Sequence, residues 1–426
     1  MRGRLHLYLI QATLLIPLAS WGQDRPSGFD DVTPLGLSSG YDSNFIVGSQ
    51  TLSDNVSIIT SPAWTWGTST RRSSFSLEYQ PEFEIFSNYS HLNTVNHTGM
   101  LTYAHRFNSQ WTLNAGDAFF STMDPSRTLA NSLILFPWGR FDQNTFYTEI
   151  VDKLNKKTNV TLRLDSVYTT VAVPQLQGGL DNVTGAGTLT VDRSVSAHQQ
   201  VSVSYTFMHT VPLDPQPFRT LSNIQVEMLG YSYLLPRGFI FRLTGGGTQG
   251  GRQSGFTGSA NVEKRVGDIW INAGYQRYLG FFTAFGPLGQ PLPGQIVLAN
   301  GVTPNIRYDT FSLRASGRLT RRIGIDGNAQ KAINGTDISG LKIRSLVGQL
   351  RVDYRINDRF VLFARVEHYG QNLTFFLPEA ISRNRYFGGV EIALSKSAGP
   401  NGARFRRGAK LEDSAVVPAA NAADTQ

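Results

Sequence analysis

The sequence predicts an all-β protein, a closed antiparallel up-and-down transmembrane β-barrel of about 18 strands (roughly 16–18). Three observations predict this fold. The composition is weakly charged and rich in aromatic residues. Apolar and polar residues alternate along most of the chain, and the links between the alternating segments are short and long in turn. We justify these observations in that order.

The composition excludes the commoner classes of protein. Only 16% of the residues are Asp, Glu, Lys or Arg, against roughly 25% in an average soluble protein. With 40% apolar residues the chain is too hydrophobic for disorder. No stretch after residue 20 approaches the run of about 18 apolar residues that a membrane-spanning helix needs, and the mean hydropathy is only −0.19. The remaining class is the transmembrane barrel.

The net charge of +8 does not indicate a nucleic-acid partner. Part of the excess lies in Arg2 and Arg4 and part in the last 31 residues, from Lys396 onward, so the alternating region carries no basic footprint for DNA. The chain contains no cysteine. That absence excludes a disulfide framework, a thiolate metal site and a lipidated N-terminal cysteine.

The two ends of the chain differ from the region between them. Arg2 and Arg4 precede an apolar run, Leu7–Leu18, and small residues near Gly22, which is the pattern of a secretory signal peptide. The C-terminal end is rich in Gly, Pro, Ala and charged residues, and we expect it to be disordered. The predicted organisation is a signal peptide over residues 1–22, an outer-membrane β-barrel over 23–395 and a disordered tail over 396–426.

Period-2 alternation is clearest over residues 74–85, where aromatic and aliphatic residues alternate with Glu78, Glu82 and Glu84. Such a strand presents an apolar face outward and a polar face inward in a barrel. The first and last strands are predicted near Pro34–Asn44 and Asn384–Leu394. An even number of strands places both termini at the same end, the periplasmic one.

The links between segments separate a barrel from a sandwich. Short polar links alternate with longer ones along the chain. This alternation is typical of an up-and-down barrel and is not produced by the Greek-key crossovers of a sandwich. Thr248–Gly255 is predicted to be one of the longer links. Its neighbourhood holds glycines that we interpret as a flexible surface loop rather than a phosphate-binding loop, because no helix follows. These glycines are Gly245, Gly246, Gly247, Gly250 and Gly251.

Two other long links are more apolar than a free surface loop, so they could lie either inside or outside the barrel. Gly280–Asn305 and Ser121–Asp142 would either fold inward and narrow the interior, or project outward to contact lipopolysaccharide, polysaccharide or a neighbouring subunit. The sequence leaves both alternatives open. Elsewhere, Pro62 and Pro81 fall within neighbouring strands, where each removes a ladder donor, so we predict a local bulge or distortion there.

The chain resembles the porin-type outer-membrane β-barrels of diderm bacteria, and most of all a β-barrel porin group whose members are largely uncharacterised. The residues that carry the resemblance are Gly-Tyr-Asp-Ser-Asn at 40–44, Trp64 and Trp66, Arg-Ile-Asn-Asp-Arg at 355–359 and the closing segment 385–394. The closing segment departs from such barrels in lacking a terminal aromatic residue. The resemblance implies an outer-membrane pore without catalytic residues.

Inward positions of such a barrel line an aqueous channel unless something fills it. Acids concentrate in one early strand and arginines in the last strands, so two arcs of opposite charge across the pore would orient polar solutes. The alternative is that these charges pair and stiffen the wall. By alternation, Asp326 and Glu391 also point inward. The candidate pore-lining residues are Glu78, Glu82, Glu84, Arg163, Asp165, Arg242, Arg314, Arg351, Asp353, Arg365, Glu367 and Arg385.

Catalysis is not expected, because the seven histidines lack a metal-ligand spacing or a nucleophile pattern. No cofactor, metal site or nucleic-acid partner is expected either. The predicted function is passive diffusion of small polar solutes across the outer membrane of a diderm bacterium. A non-porin barrel that serves as a polysaccharide export conduit or an adhesive surface scaffold is the alternative. The expected partners are outer-membrane lipid and small polar solutes, with a surface polysaccharide or a homo-oligomer as further candidates.

Overall fold

The computed structural model describes ten stretches of the chain, and their gaps fall mainly in the long links. Among these residues no helix is long and apolar enough to cross a membrane. The predicted signal peptide and tail lie outside the described residues and stay predictions. The described stretches are 34–46, 51–124, 138–172, 181–213, 223–235, 238–250, 253–280, 306–336, 342–372 and 380–393.

The described strands form one antiparallel sheet that closes on itself, because the last strand pairs with the first. Apart from β2 and β3, which do not pair with each other, each strand pairs with its neighbours in sequence. The strands are β1 (Leu35–Asp42), β2 (Asp54–Thr60), β3 (Trp64–Ser69), β4 (Ser73–Phe86), β5 (Thr94–Arg106), β6 (Trp111–Thr122), β7 (Arg140–Asn155), β8 (Thr158–Ala172), β9 (Asn182–Ser196), β10 (Gln199–Pro212), β11 (Asn223–Leu235), β12 (Phe239–Gly250), β13 (Gln253–Val266), β14 (Ile269–Gly280), β15 (Ile306–Arg318), β16 (Ile323–Thr336), β17 (Lys342–Arg355), β18 (Phe360–Gln371) and β19 (Ile381–Ile392).

β2 and β3 share one position in the wall, since both pair with β4. The wall therefore has 18 positions although the sheet has 19 strand segments, and the predicted closed up-and-down barrel is confirmed. Leu35 of β1 pairs with Ile392 of β19, so both ends of the barrel domain lie at the end of the short turns. We call this the short-turn end and the opposite one the long-link end.

Side chains alternate between the two faces of the wall as predicted. On β8, Leu162 and Leu164 point outward and are 44% and 50% exposed. Arg163 between them points inward, with only 21% of its side chain exposed. In water this exposed apolar band would be an aggregation hazard. Within lipid it is the required surface, and closure satisfies the backbone of every edge.

A bulge separates β2 from β3. It contains Pro62, where the sequence predicts a distortion. Thr60 pairs with Glu82 and Trp64 pairs with Tyr79, so three residues, 61–63, face two on β4. The Ser61 amide donates to the carbonyl of Pro81 at 3.1 Å. An extra residue reverses the alternation. Even-numbered residues point inward on β2, whereas Trp64 and Trp66 point outward, 60% and 44% exposed.

The prediction of a long link at Thr248–Gly255 is wrong, and so is the flexible glycine loop. β12 continues to Gly250 and β13 begins at Gln253, so Gly245, Gly246 and Gly247 lie within a strand, while Gly251 lies outside the described residues. A Cβ on Gly246 would stand 1.8 Å from the carbonyl oxygen of Glu227. Glycine is used here for close backbone approach rather than for flexibility.

Candidate functional site

The structure places all twelve candidate residues on the inward face of the wall, together with Asp326 and Glu391. Each alternates with outward residues on its strand. The structure differs from the prediction in which of these charged side chains contact one another.

The predicted arrangement of two opposite arcs across the pore is wrong. β4, which carries the acids, stands only three wall positions from β19, because β1 and the β2–β3 position are all that separates them. Glu84 of β4 reaches Arg385 of β19 directly, with 3.2 Å between Oε1 and Nη2. Closure of the barrel brings the beginning and the end of the chain together. The alternative interpretation, in which the charges pair, describes this region.

A group of six buried charged side chains lies inside the wall near the long-link end, and we call it the arginine cluster. It comprises Arg383 and Arg385 of β19, Asp42 of β1, Glu84 of β4, Glu367 of β18 and Asp124, which follows β6. Two cations thus meet four carboxyl groups at the seam where the barrel closes.

Arg383 is the most deeply buried member of the arginine cluster, with no exposed side-chain surface. Its Nη2 lies 2.5 Å from Oδ2 of Asp42, and its Nη1 lies 2.7 Å from Oδ1 of Asp124. Arg385 contacts the same two carboxylates, at 3.1 Å from Asp42 and 2.8 Å from Asp124. Buried cations with this many charge-assisted hydrogen bonds hold their partners in fixed positions.

Asp124 follows the strand that lies farthest along the wall from β19 among those that contribute to the arginine cluster. It follows the end of β6 at Thr122, and β6 stands four positions from β1. The chain therefore leaves the wall and crosses the interior to reach β19. Asn96 supports this path: it accepts from Thr122 Oγ1 at 2.7 Å, and its amide donates to Glu84 at 3.5 Å.

The other end of the same link also lies inside. The Trp138 amide donates to the carbonyl of Ile46 at 2.9 Å, and the indole is 6% exposed. It packs edge-on against Phe86 of β4 and Phe45, at 5.6 and 6.1 Å between ring centroids. For the described ends of the Ser121–Asp142 link, folding inward is therefore the correct alternative. Residues 125–137, and 281–305 of the other apolar link, lie outside the described residues.

Apolar side chains pack inside the long-link half as well, which the sequence analysis did not anticipate. One buried cluster lies on the inward face of β9, β10 and β11, and a second on β16, β17, β18 and β19. A third surrounds Trp138. The first consists of Ala186, Met208, Ile224, Val226 and Met228, the second of Ala332, Val347, Tyr369 and Ile381, and the third of Phe45, Val56, Ile58, Phe86, Trp138 and Phe387. Among the described residues, packed apolar side chains therefore cover parts of the inward face in this half.

Toward the short-turn end the inward charges form separate ion pairs that are more exposed to solvent than the arginine cluster. Arg314 and Asp326 approach to 3.6 Å, with 29% and 49% of their side chains exposed. Arg163 lies 2.8 Å from Asp165 and over the ring of Tyr147, 4.5 Å from its centroid. These pairs leave charged atoms in contact with water inside the barrel.

The remaining candidate arginines are also paired. Arg242 binds Glu263 on the neighbouring strand, and Arg365 lies 3.2 Å from Glu367. Arg351 is largely buried, 2.6 Å from Asp353 and 2.8 Å from Glu391, and its guanidinium stacks on Phe363 at 4.2 Å. Thr60 donates to Glu82 at 2.9 Å.

Within the described part of the chain, no three His, Cys, Asp or Glu side chains come together in a way that could hold a metal ion. The histidines that the structure describes in strands bond to single polar neighbours. His97 meets Tyr79, and His209 and His368 meet Asn223 and Asn384, each at 2.7 Å.

The sequence analysis missed Arg383, Asp42 and Asp124. A signal existed for Arg383, which stands two residues before Arg385 and therefore on the same face. Asp42 also lies at an inward position of β1. Asp124 follows the last alternating residue of its strand, so no periodic signal indicates where it points.

Comparison with known proteins does not assign the chain to a family. No family model matches the chain, and no curated protein matches it. Solved structures with some likeness are the siderophore receptor PirA from Pseudomonas aeruginosa, OpdL from the same organism and OccAB4 from Acinetobacter baumannii. Their TM-scores are 0.39, 0.43 and 0.44, with 10%, 13% and 8% identity. The alignments cover 87%, 86% and 87% of this chain and 81%, 99% and 99% of those chains, respectively.

These likenesses are too distant to bear on what this chain does. The barrel itself is established by its own closed ladder, in which β1 pairs with β19 over the whole length of β1.

Proposed function

We propose that the protein is an outer-membrane channel through which small polar solutes diffuse passively, and that the channel narrows in its long-link half. The observation that carries this proposal is a closed ladder with an apolar outer face around an interior that keeps charged side chains in contact with water. Arg314 and Asp326 are the clearest examples, with 29% and 49% of their side chains exposed. An open barrel of 16 to 18 strands has an aqueous lumen of the size that porins use.

The outer face supports a membrane location. A continuous set of exposed Leu, Val, Phe, Trp and Tyr side chains surrounds the wall, and a closed barrel is the only sheet that satisfies its backbone within lipid. Barrels of this kind belong to the outer membrane of diderm bacteria. By the same pattern the long links face the exterior and the short turns face the periplasm.

The narrowing is supported by what fills the long-link half. The arginine cluster and the three apolar clusters occupy inward positions there, and Asp124 and Trp138, at the described ends of the β6–β7 link, lie inside the barrel. Solutes would pass beside these groups, so small size and polarity are the properties that favour passage.

Single-channel recording in planar lipid bilayers tests the proposal. The purified, folded protein is expected to give stable conductance steps, and protein unfolded by boiling is the control that should give none. A folded barrel that never conducts would contradict the channel. The packed long-link half would then favour the second candidate, a polysaccharide export conduit or a surface scaffold, which conducts only with its partners or not at all.

A further inference from the structure

One carboxylate points outward in the middle of the apolar band. On β6 the outward positions run from Trp111 and Leu113 through Ala115 to Asp117 and Phe119. Trp111 and Phe119 are both 40% exposed on the outer face, and Asp117 lies between them. Its cross-strand partners are Leu101 on β5 and Phe146 on β7, so apolar side chains surround the carboxylate.

The depth of Asp117 distinguishes it from the other outward charges that the structure describes. A tilted strand climbs about 2.5 Å per residue along the barrel axis, so Asp117 stands about 15 Å above Trp111 within a band about 25 Å tall. Outward charges such as Arg277, Asp309 and Lys331 stand at least eight residues above the short-turn end of their strands. On the same scale they stand about 20 Å or more up, within about 5 Å of the upper edge of the band, whereas Asp117 stands about 10 Å below that edge.

Asp117 has one side-chain partner, and that partner also points outward. The Asn144 amide of β7 donates to its Oδ1 at 2.8 Å. This bond uses one of the two N–H groups of the amide, and the carboxylate also accepts from the Ala118 backbone, so two of its about four acceptor sites are used. The remaining N–H and acceptor sites face the bilayer, where an unsatisfied polar group is costly.

The pair is complementary to itself. We propose that Asp117 and Asn144 form the centre of a contact between two copies of this chain related by a two-fold axis within the membrane. In such an isologous contact each Asn144 donates its second N–H to the Asp117 carboxylate of the other copy, and both pairs are satisfied by one symmetric arrangement. Gly99, Ala115 and Thr148 are outward neighbours on β5, β6 and β7, and their small side chains leave gaps beside the larger Leu101, Phe119 and Phe146 into which side chains of the other copy can pack.

This inference rests on the membrane location in the proposed function but not on conduction. A dimer is detectable in a barrel that carries no current, and a monomer can conduct. The two proposals can therefore fail separately.

Cysteine cross-linking in the membrane tests the contact, because the natural chain has no cysteine to interfere. Phe119→Cys places a thiol beside Asp117. Leu313→Cys is the matched control, since Leu313 is an outward residue, 53% exposed, on β15 at the opposite side of the barrel. With a short bis-maleimide, Phe119→Cys is expected to yield a covalent dimer, and Leu313→Cys at least tenfold less.

A second set of variants asks whether the polar pair is what holds the copies together. In the Phe119→Cys background, Asp117→Leu should reduce the dimer yield at least tenfold, while Asp117→Asn, which retains hydrogen bonding, should preserve most of it. Migration before and after boiling on SDS gels verifies that each variant is folded. Equal yields from Phe119→Cys and Leu313→Cys, or no dimer from either, would overturn the inference. So would an Asp117→Leu variant that unfolds at a higher temperature with an unchanged dimer yield, because Asp117 would then face only lipid.

Discussion

The Arg383 guanidinium binds both carboxylate oxygens of Asp42, which lies 341 positions earlier in the chain. Nη2 stands 2.5 Å from Oδ2 and Nε stands 3.0 Å from Oδ1. The side chains of both residues are fully buried. The pair bridges β19 and β1, so it joins the two edges of the sheet at the seam where the barrel closes. Because the pair joins these two edges, we expect closure of the barrel to depend on both of its charges being present.

We therefore expect Arg383→Met to destabilise the barrel. Removing one partner of a buried ion pair costs about 3–5 kcal/mol, and here it leaves Arg385 as the one arginine of the cluster in contact with Asp42 and Asp124. The measurement is the urea midpoint, or the temperature at which the folded band disappears on SDS gels. Arg265→Met is the control, because its pair with Asp268 is 72% and 68% exposed and should contribute less than about 1 kcal/mol. Equal effects would mean that the seam pair does not support closure.

Two adjacent residues of β10 test the assignment of faces. Val203 points outward and is 56% exposed, whereas Ser204 points inward. Val203→Arg puts a charge into the lipid-facing band, which should cost about 2–4 kcal/mol. Ser204→Arg should be tolerated, because the charge enters the polar interior. If the urea midpoints of the two variants agree, the assignment of the two residues to opposite environments is wrong; a larger loss with Ser204→Arg would mean that the strand has the opposite face.

The Arg314–Asp326 pair tests the sign of the wall charge. Arg314→Ser removes a positive charge from the water-exposed part of the interior and should shift selectivity toward cations. Asp326→Asn should shift it toward anions by removing the negative partner. The measurement is the reversal potential across a salt gradient, and shifts of the same sign would contradict a lumen location.

Arg351 and Arg365 make poorer probes of selectivity. Both are paired, and Arg351 is largely buried between Asp353 and Glu391. Arg351→Ser should mainly lower stability, because it leaves those two carboxylates without their cation. The triple replacement of Arg314, Arg351 and Arg365 by Ser is therefore expected to reduce the amount of folded protein as well as to shift selectivity toward cations. Urea unfolding of the single Arg351→Ser variant separates the two effects.

The bulge at Pro62 sets the orientation of two tryptophans. Deleting Ala63 removes the extra residue between Thr60 and Trp64, so the alternation of β2 should continue and turn Trp64 and Trp66 inward. Quenching of tryptophan fluorescence by brominated lipid acyl chains should fall, or the barrel should unfold at lower temperature. Pro62→Ala, which keeps the length, should leave the quenching unchanged. Full quenching in a stable deletion variant would show that the bulge does not fix the faces.

The sequence by itself determined the class of fold and the face of the strand residues that it assigned by alternation. The alternation around Glu78 and Arg163 is enough, because a strand has a period of two and only one of its faces can meet lipid. The prolines at 62 and 81 also indicated where the ladder would be distorted. They did not indicate that one extra residue would reverse the faces of Trp64 and Trp66, since that depends on the register of β4.

Only the tertiary structure decided which charges meet. Glu84 and Arg385 lie at opposite ends of the chain, and their distance follows from closure, which alternation does not encode. Asp124 leaves its strand and crosses the interior, where no periodic pattern governs its direction. The prediction of a flexible loop at glycines 245–247 is wrong for a related reason: the lack of a Cβ permits both a flexible loop and a close approach of strands, and the register of the neighbouring strands decides between them. Alternation along a strand determines which face a side chain lies on, but the pairing of strands in the closed barrel determines which side chain it contacts.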